Sequence, residues 1–521
     1  MTQAATLIDR RPARRTCTFF ALTLILLGVT LTLPVGALAF TSSGMGGWHA
    51  QNASAAGSSA SLGSVTFVDA EHGWVVGSSY SDASSDYAPV ILSTSDAGAT
   101  WNAQDAGDSS GYDAYLSAVA FVDEAHGWAV GHNDDGALIL ATSGGGAIWS
   151  AQDASNAGSS YASLDSVTFV DAQHGWAVGS THDEASDSWV PLILVTKDGG
   201  VTWDAQDAGH VDALMSSLND VTFVDAQHGW AVGSTGGGYN ESRIILATSD
   251  GGATWNAQNA HTMDGYEGLY SVSFIDAQRG WAVGGRGLAT NGSGYPAILA
   301  TQNGGVTWSA QDASSAVKDG FLGSVTFIDA KNGWAVGHST RRVDGMPGFA
   351  FSSLILATAD GGASWHKQRT NDTEGLGGLD FIDATHGWVV GSTFIDATDT
   401  WAPLILATTT GGFPSAGPTP TLTLKLSGLA AGTLKLGQTL TATGAVKPLG
   451  LVESRVALSV QMKTGTTWAK VKTTSASISP KGNYSWKYVP AANGAYRMRA
   501  QVAATDAYPA ATTQWLAFTV R

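Results

Sequence analysis

A chain of 521 residues is too long for one ordinary core at roughly 150 residues per domain, so it holds several domains or one large repeat architecture. Glycine at 65, tryptophan at 19 and only 13% charged residues exclude a disordered chain, a coiled coil and a long-helix protein, and point to an all-β, turn-rich fold. The net charge of −17 divides unevenly: residues 1–39 carry +3, residues 40–420 carry −30 and residues 421–521 carry +10, which argues against nucleic acid as a partner of the acidic middle.

The first 39 residues read as an export segment. A basic stretch ends at Arg15, an apolar run spans Phe19 to Leu33, and Pro34 precedes Ala37-Leu38-Ala39. The expectation is a signal peptide removed after Ala39, with an uncleaved membrane anchor as the alternative; either way the protein is placed outside the cell or on its surface. Cys17 is the single cysteine and precedes the apolar run, so the exported part relies on packing rather than disulfides.

The next stretch repeats. SVTFVDAEHGWVVG, with Phe67 and Trp74, returns with Phe121 and Trp128, Phe169 and Trp176, Phe223 and Trp230, Phe274 and Trp281, Phe327 and Trp334, and Phe381 and Trp388. The phenylalanines are 54, 48, 54, 51, 53 and 54 residues apart. Each unit reads as a first strand (SVTFVD), a tight turn, a second strand (GWAVG), a variable connection, a third strand (LILAT), another tight turn and a fourth strand (TWNAQ), with the period of two of half-buried strands. A period near 50 with four short strands per unit predicts a β-propeller, here of seven blades over residues 40–413. The last unit ends at TTTGGF without the expected tryptophan, whereas Trp48 in GMGGWHAQNA stands in the context that follows every second turn. The N-terminal segment is therefore expected to supply the missing fourth strand and close the ring.

The second turn is TSDAGATW, TKDGGVTW, TSDGGATW, TQNGGVTW and TADGGASW in five units, with Asp96, Asp198, Asp250, Asn303 and Asp360 at its acidic position; the second unit has Gly144 there. A short carboxylate or amide caps its own turn, and a turn-stabilising role tolerates such changes better than metal binding or catalysis. This motif resembles the Asp box of the bacterial neuraminidase repeat, and the whole unit is similar to the repeat of photosystem II stability/assembly factor-like propellers. The resemblance implies fold more than function, because Asp boxes also occur in sialidases, glycosidases and receptors. An assembly-factor role would imply binding of a protein partner.

FPSAGPTP reads as a linker, taken as 414–420, before a basic domain over 421–521 with alternating strands around Trp486, Tyr496 and Phe518. That domain resembles an immunoglobulin-like β-sandwich of bacterial surface proteins. Lys470, Lys472, Lys481, Lys487, Arg497 and Arg499 are candidates for a basic surface holding an anionic cell envelope.

No zinc motif or convincing calcium loop occurs, and no metal, cofactor or catalytic residue is assigned. The repeated Asp-x-x-His, for example Asp69 with His72, lies in the first turn, and its histidine becomes Arg279 and Asn332 in two units, which favours a structural role. Sialidases of this repeat type hold their substrate with three arginines; here Arg243, Arg279, Arg286, Arg341, Arg342 and Arg369 are the only ones in the propeller, with none in the first three units. The expected function is a monomeric, non-enzymatic propeller binding a protein or glycan, the alternative being a carbohydrate-active enzyme using two loop carboxylates. Because the tight turns repeat and the other connections differ, the ligand face is expected on the latter, with Tyr112, Tyr115, Trp189, Tyr239, Tyr266, Tyr270, Tyr295 and Trp401 as candidates.

Overall fold

The computed structural model describes residues 47–81, 86–107, 113–209, 215–236, 242–258, 266–287, 294–342, 349–368, 375–395, 400–412, 421–447, 455–479, 481–502 and 511–521. The predicted export segment and the linker fall outside them. Among the described residues no helix is long and apolar enough to cross a membrane.

The repeat region is an all-β propeller. Between Trp48 and Thr408 the described strands form seven four-stranded antiparallel sheets. The third is representative, with strands Ser163–Phe169, Gly175–Asp183, Ser188–Thr196 and Asp204–Ala205 paired in that order. In every unit the first strand shifts register once, as between Leu164 and Ser166. Opposite that shift stands the last glycine of GWAVG. A Cβ on Gly179 would collide with the carbonyl of Ser163, which explains why glycine recurs there.

The sheets are joined by rings. Each repeat phenylalanine lies flat on the GW tryptophan of the preceding unit, with centroids 3.4–3.7 Å apart and planes within 9°. Its opposite face covers the glycine of GW in its own unit; a Cβ on Gly175 would fall within the Phe169 ring. The second-turn tryptophan meets the same phenylalanine edge-on at 5.8–6.0 Å. Cores therefore form between units: Trp128, Val130 and Ile139 of the second pack with Leu164, Ala177 and Trp203 of the third. Burial of such rings contributes about 25 cal/mol per Å² of apolar surface.

The same contacts join the last unit to the first. Trp48–Ala50 pairs with Thr400–Thr408, Trp48 taking the register opposite Thr408. Its ring meets Phe381 edge-on at 5.9 Å. Trp388 stacks on Phe67, and Trp388, Val390 and Ile405 share a core with Leu62, Phe67 and Trp101. The N-terminal strand fills the place that the sequence of the last unit leaves vacant.

Residues 421–521 build two sheets over one core. One contains Thr421–Leu422, Lys425–Ser427, Leu440–Lys447 and Asn483–Tyr488; the other contains Thr433–Leu434, Arg455–Thr464, Thr467–Ser477, Gly494–Val502, Ala511–Thr512 and Leu516–Val520. Leu440, Ala442, Tyr484 and Tyr488 from the first pack with Val456, Leu458, Met498 and Phe518 from the second.

Candidate ligand-binding face

In an antiparallel unit of four strands, the first and second turns lie at one end and the remaining connections at the other. At the turn end the Asp-box carboxylates are consumed internally. Asp198 Oδ1 accepts the Thr196 hydroxyl at 2.9 Å and the Thr202 N–H at 2.9 Å, while Oδ2 accepts the Thr202 hydroxyl at 2.8 Å. Asp96, Asp250 and Asp360 repeat this, and the donors hold these carboxyls below the usual range, the backbone N–H of Thr100 and Thr202 coming first at Asp96 and Asp198. Asn303 makes the same turn: its Oδ1 accepts from Thr301 and the Thr307 N–H, and its Nδ2 donates to the Thr307 hydroxyl. Asp198→Asn is therefore expected to leave the melting temperature nearly unchanged at pH 7 and Asp198→Ala to lower it; equal losses in a thermal scan would contradict the turn assignment.

The first turn is equally self-contained. Asp69 Oδ1 accepts the backbone N–H groups of Glu71 and His72, and its carboxylate contacts His72 Nδ1 at 2.9 Å, which raises the histidine's pKa. Arg279 and Asn332 reach the equivalent aspartates, Asp276 and Asp329, with their own N–H groups. Glu124 lies 3.8 Å from His72, so Asp69, His72 and Glu124 form a cluster of possible metal ligands. The same Asp–His pair recurs at Asp123–His126, Asp171–His174, Asp225–His228 and Asp383–His386, as a turn device would.

These turns also link the units. Each GW tryptophan donates Nε1 to a carbonyl in the second turn of the next unit, from Trp74 to Gly145 through Trp334 to Gly411, and Trp388 returns to Ala97 at 3.3 Å. The glutamine after the fourth strand is a further joint that the sequence pattern did not single out. Gln368 accepts from Trp48 Nε1 at 2.6 Å and donates to the Gly411 carbonyl at 2.8 Å. Gln51 and Gln311 do the same for Trp101 and Trp365. Its signal was present, since a Gln ends or follows the fourth strand in every unit.

Along the first strands, side chains of one unit accept from backbone N–H groups of the next. Asp220 takes Ser166 Oγ at 2.7 Å and the Val272 N–H at 2.8 Å, and Asp380 takes the Phe67 N–H at 2.7 Å across the closing seam. Burial pushes the Asp380 carboxyl up to about 6, against the hydrogen bonds from Phe67 and Phe381. The folded state thus retains a proton that the unfolded chain has already lost between pH 4 and 6. This contribution is complete below pH 4 and is lost as pH rises through 6, on the order of 3 kcal/mol. Urea unfolding at pH 4 and pH 7 is expected to favour Asp380→Asn over the parent by about that amount more at pH 7 than at pH 4; a difference independent of pH would contradict it.

The opposite end carries rings. Tyr80, Tyr87, Tyr115 and His132 form a continuous row across the first two units, with successive centroids 4.9, 4.4 and 4.7 Å apart. Burial lowers the His132 pKa and raises that of Tyr115 to about 12, so both rings are neutral at pH 7. In the third unit Tyr161, His182 and Trp189 follow at 6.1 and 5.8 Å, and in the last Phe394 meets Trp401 at 5.4 Å. Tyr161 is 68% exposed and Trp401 45%. Two carboxylates of this end are engaged with backbone: Asp86 Oδ1 accepts the Asp113 N–H, and Asp113 Oδ1 accepts the Tyr87 N–H.

The predicted aromatics are placed differently from the expectation that loops carry them. Tyr115 begins a first strand, Trp189, Tyr295 and Trp401 lie near the starts of third strands, and Tyr266 and Tyr270 are within Tyr266–Phe274. The reason is that second and third strands continue pairing far beyond the repeated motif, as Asp183 with Ser188 shows, so dissimilar sequence here is hairpin rather than loop. Tyr270 sits at the register shift, where Asp165 and Asn219 stand in the two preceding units. Tyr112 and Tyr239 lie outside the described residues. Tyr80, Tyr87, His132 and His182 were missed because they stand at strand ends, and Tyr161, in the turn before Ser163–Phe169, was missed beside them.

Residues 43–157 and 210–309 match the family described as Photosynthesis system II assembly factor YCF48. No curated protein matches. Among solved structures, one titled "Structure of a new family of Polysaccharide lyase PL25-Ulvanlyase" is similar at 11% identity and a TM-score of 0.36, covering 67% of this chain and 94% of that one. With its recurring Asp boxes and its ring-stacked four-stranded sheets, the chain is an Asp-box β-propeller protein, similar over these two stretches to the YCF48 assembly-factor family.

Proposed function

We propose that this chain is an exported, monomeric and non-enzymatic scaffold: a seven-bladed propeller over residues 40–413, closed by its N-terminal strand, followed by a linker and an immunoglobulin-like domain over 421–521. Its ligand is a protein or glycan held on the aromatic end of the propeller. One contrast carries this reading. At the turn end, the Asp-box carboxylates satisfy their own turns and the GW tryptophans bond the turns of their neighbours, whereas at the other end Tyr80, Tyr161 and Trp401 expose ring surface beyond any repeat requirement. Rigid rings with polar tips supply contact area at low entropic cost and dominate interface energetics. The reciprocal engagement of Asp86 and Asp113 with backbone supports binding over hydrolysis there.

A glycan array and an envelope-protein pull-down with the full chain test this reading. Tyr87→Ala, Trp189→Ala and Trp401→Ala combined are expected to weaken capture at least tenfold with the fold retained, and Asp198→Asn to leave it unchanged. Undiminished capture by the triple variant would move the site off this end, and turnover of any arrayed glycan would overturn the non-enzymatic reading.

A further inference from the structure

The second, larger sheet of the C-terminal domain carries an unusual arrangement of cations. The Arg497 guanidinium lies between two indoles, 4.5 Å from the Trp468 centroid and 4.4 Å from that of Trp515, and Arg499 lies 4.7 Å from Trp515. Arg497 Nε donates to Gln461 Oε1 at 2.7 Å, and Arg499 Nε is buried without an acceptor. No Asp or Glu stands among the described residues of 421–521; Glu453 and Asp506, the two acids of that stretch, lie outside them. These half-buried guanidiniums are thus held by rings, with no side-chain carboxylate beside them among the described residues.

Strand register extends the charge. Alternate residues Val456, Leu458 and Val460 enter the core, so Arg455, Ser459, Gln461 and Lys463 face outward. Gln461 stands between Lys470 and Arg497, Ser459 between Thr473 and Arg499, and Lys463 opposite Trp468. The six cations expected from the sequence do not all join this face. Lys472 pairs with the inward Val460 because the strand slips between Val460 and Gln461, Lys487 belongs to the other sheet opposite Thr441, and Lys481 lies in a turn.

We infer that Arg497, Arg499, Trp468, Trp515, Lys463 and Lys470 form a binding surface for a carboxylated polysaccharide of the polyuronate type. Residues two apart on a strand are about 7 Å apart, and a residue two strands away is about 10 Å distant. Charges so spread exceed the reach of one small anion and suit a polymer with repeated carboxylates. Stacking on indoles fixes the guanidinium planes and, with Arg497 Nε donated to Gln461 and Arg499 Nε buried, leaves their Nη groups for carboxylate contacts. Guanidinium covers a face of each indole, which reduces the open aromatic platform on which single-stranded nucleic acid stacks and favours polyuronate over nucleic acid. The inference does not depend on the propeller's ligand.

Binding of the full chain to immobilised polygalacturonate, measured at low and physiological salt with oligo(dT) in parallel, tests it. The expected result is binding to polygalacturonate that weakens with salt and exceeds binding to oligo(dT). Arg497→Lys with Arg499→Lys should weaken it at least fivefold, because charge is kept but the planar fork is lost. Lys463→Gln with Lys470→Gln, outside the stacked ladder, should weaken it three- to tenfold with an unchanged melting temperature, which guards against loss through unfolding. Absence of binding, insensitivity to the lysine pair, or tighter binding to oligo(dT) would each overturn the proposal.

Discussion

Deleting residues 41–51 is expected to lower the melting temperature of the propeller more than any single internal substitution. The deletion removes the outer strand paired with Thr400–Thr408 and leaves that edge open. Trp48→Ala alone is expected to cost about 3–5 kcal/mol, the usual range for a buried aromatic. Trp48 is only 2% exposed, and its loss would also leave Gln368 Oε1 without its donor. Thermal and urea unfolding of both variants give the test. A melting profile like the parent's would contradict closure by the N-terminal strand, and aggregation of the deletion variant at moderate temperature would agree with an exposed edge.

Gly175→Ala is the second change with a large expected effect. Phe169 covers this glycine and cannot retreat, because its other face lies on Trp128 with ring centroids 3.5 Å apart. The added methyl forces a shift in a packed seam and is expected to cost about 3 kcal/mol. Combining it with Phe169→Leu should recover part of the loss, since a smaller, jointed side chain vacates the space over Cα. If Gly175→Ala unfolds at the parent's midpoint, the ring sandwich does not set the spacing of neighbouring sheets. Equivalent glycines at Gly73, Gly127, Gly229, Gly280, Gly333 and Gly387 face equivalent rings, so the effect should be general.

Much of this was legible in the sequence because repetition makes local rules visible. The missing tryptophan after TTTGGF and the surplus one at Trp48 sufficed to expect the closing strand. Asn303 and Gly144 at the acidic position identified a turn rather than a site, and the hydrogen bonds of Asn303 follow that reasoning. What remained hidden depended on contacts between units. Nothing in the sequence shows the phenylalanine ring that covers the glycine of GW, and the glutamines that bond across a seam, such as Gln311, have their partner in another unit. In the basic domain a single register slip beside Val460 changed the parity of its partner strand and removed Lys472 from the face that alternation assigned to it.

The most direct test of the central claim is hydroxyl-radical footprinting of the full chain with and without whichever protein or glycan the capture experiments identify. Protection is predicted at Tyr80, Tyr87, Tyr115, Tyr161, Trp189 and Trp401, with the exposed turn residues Ile148, Val201 and Val306 at the opposite end unchanged. Protection of Ile148, Val201 and Val306 with the aromatic end unaffected would contradict the account.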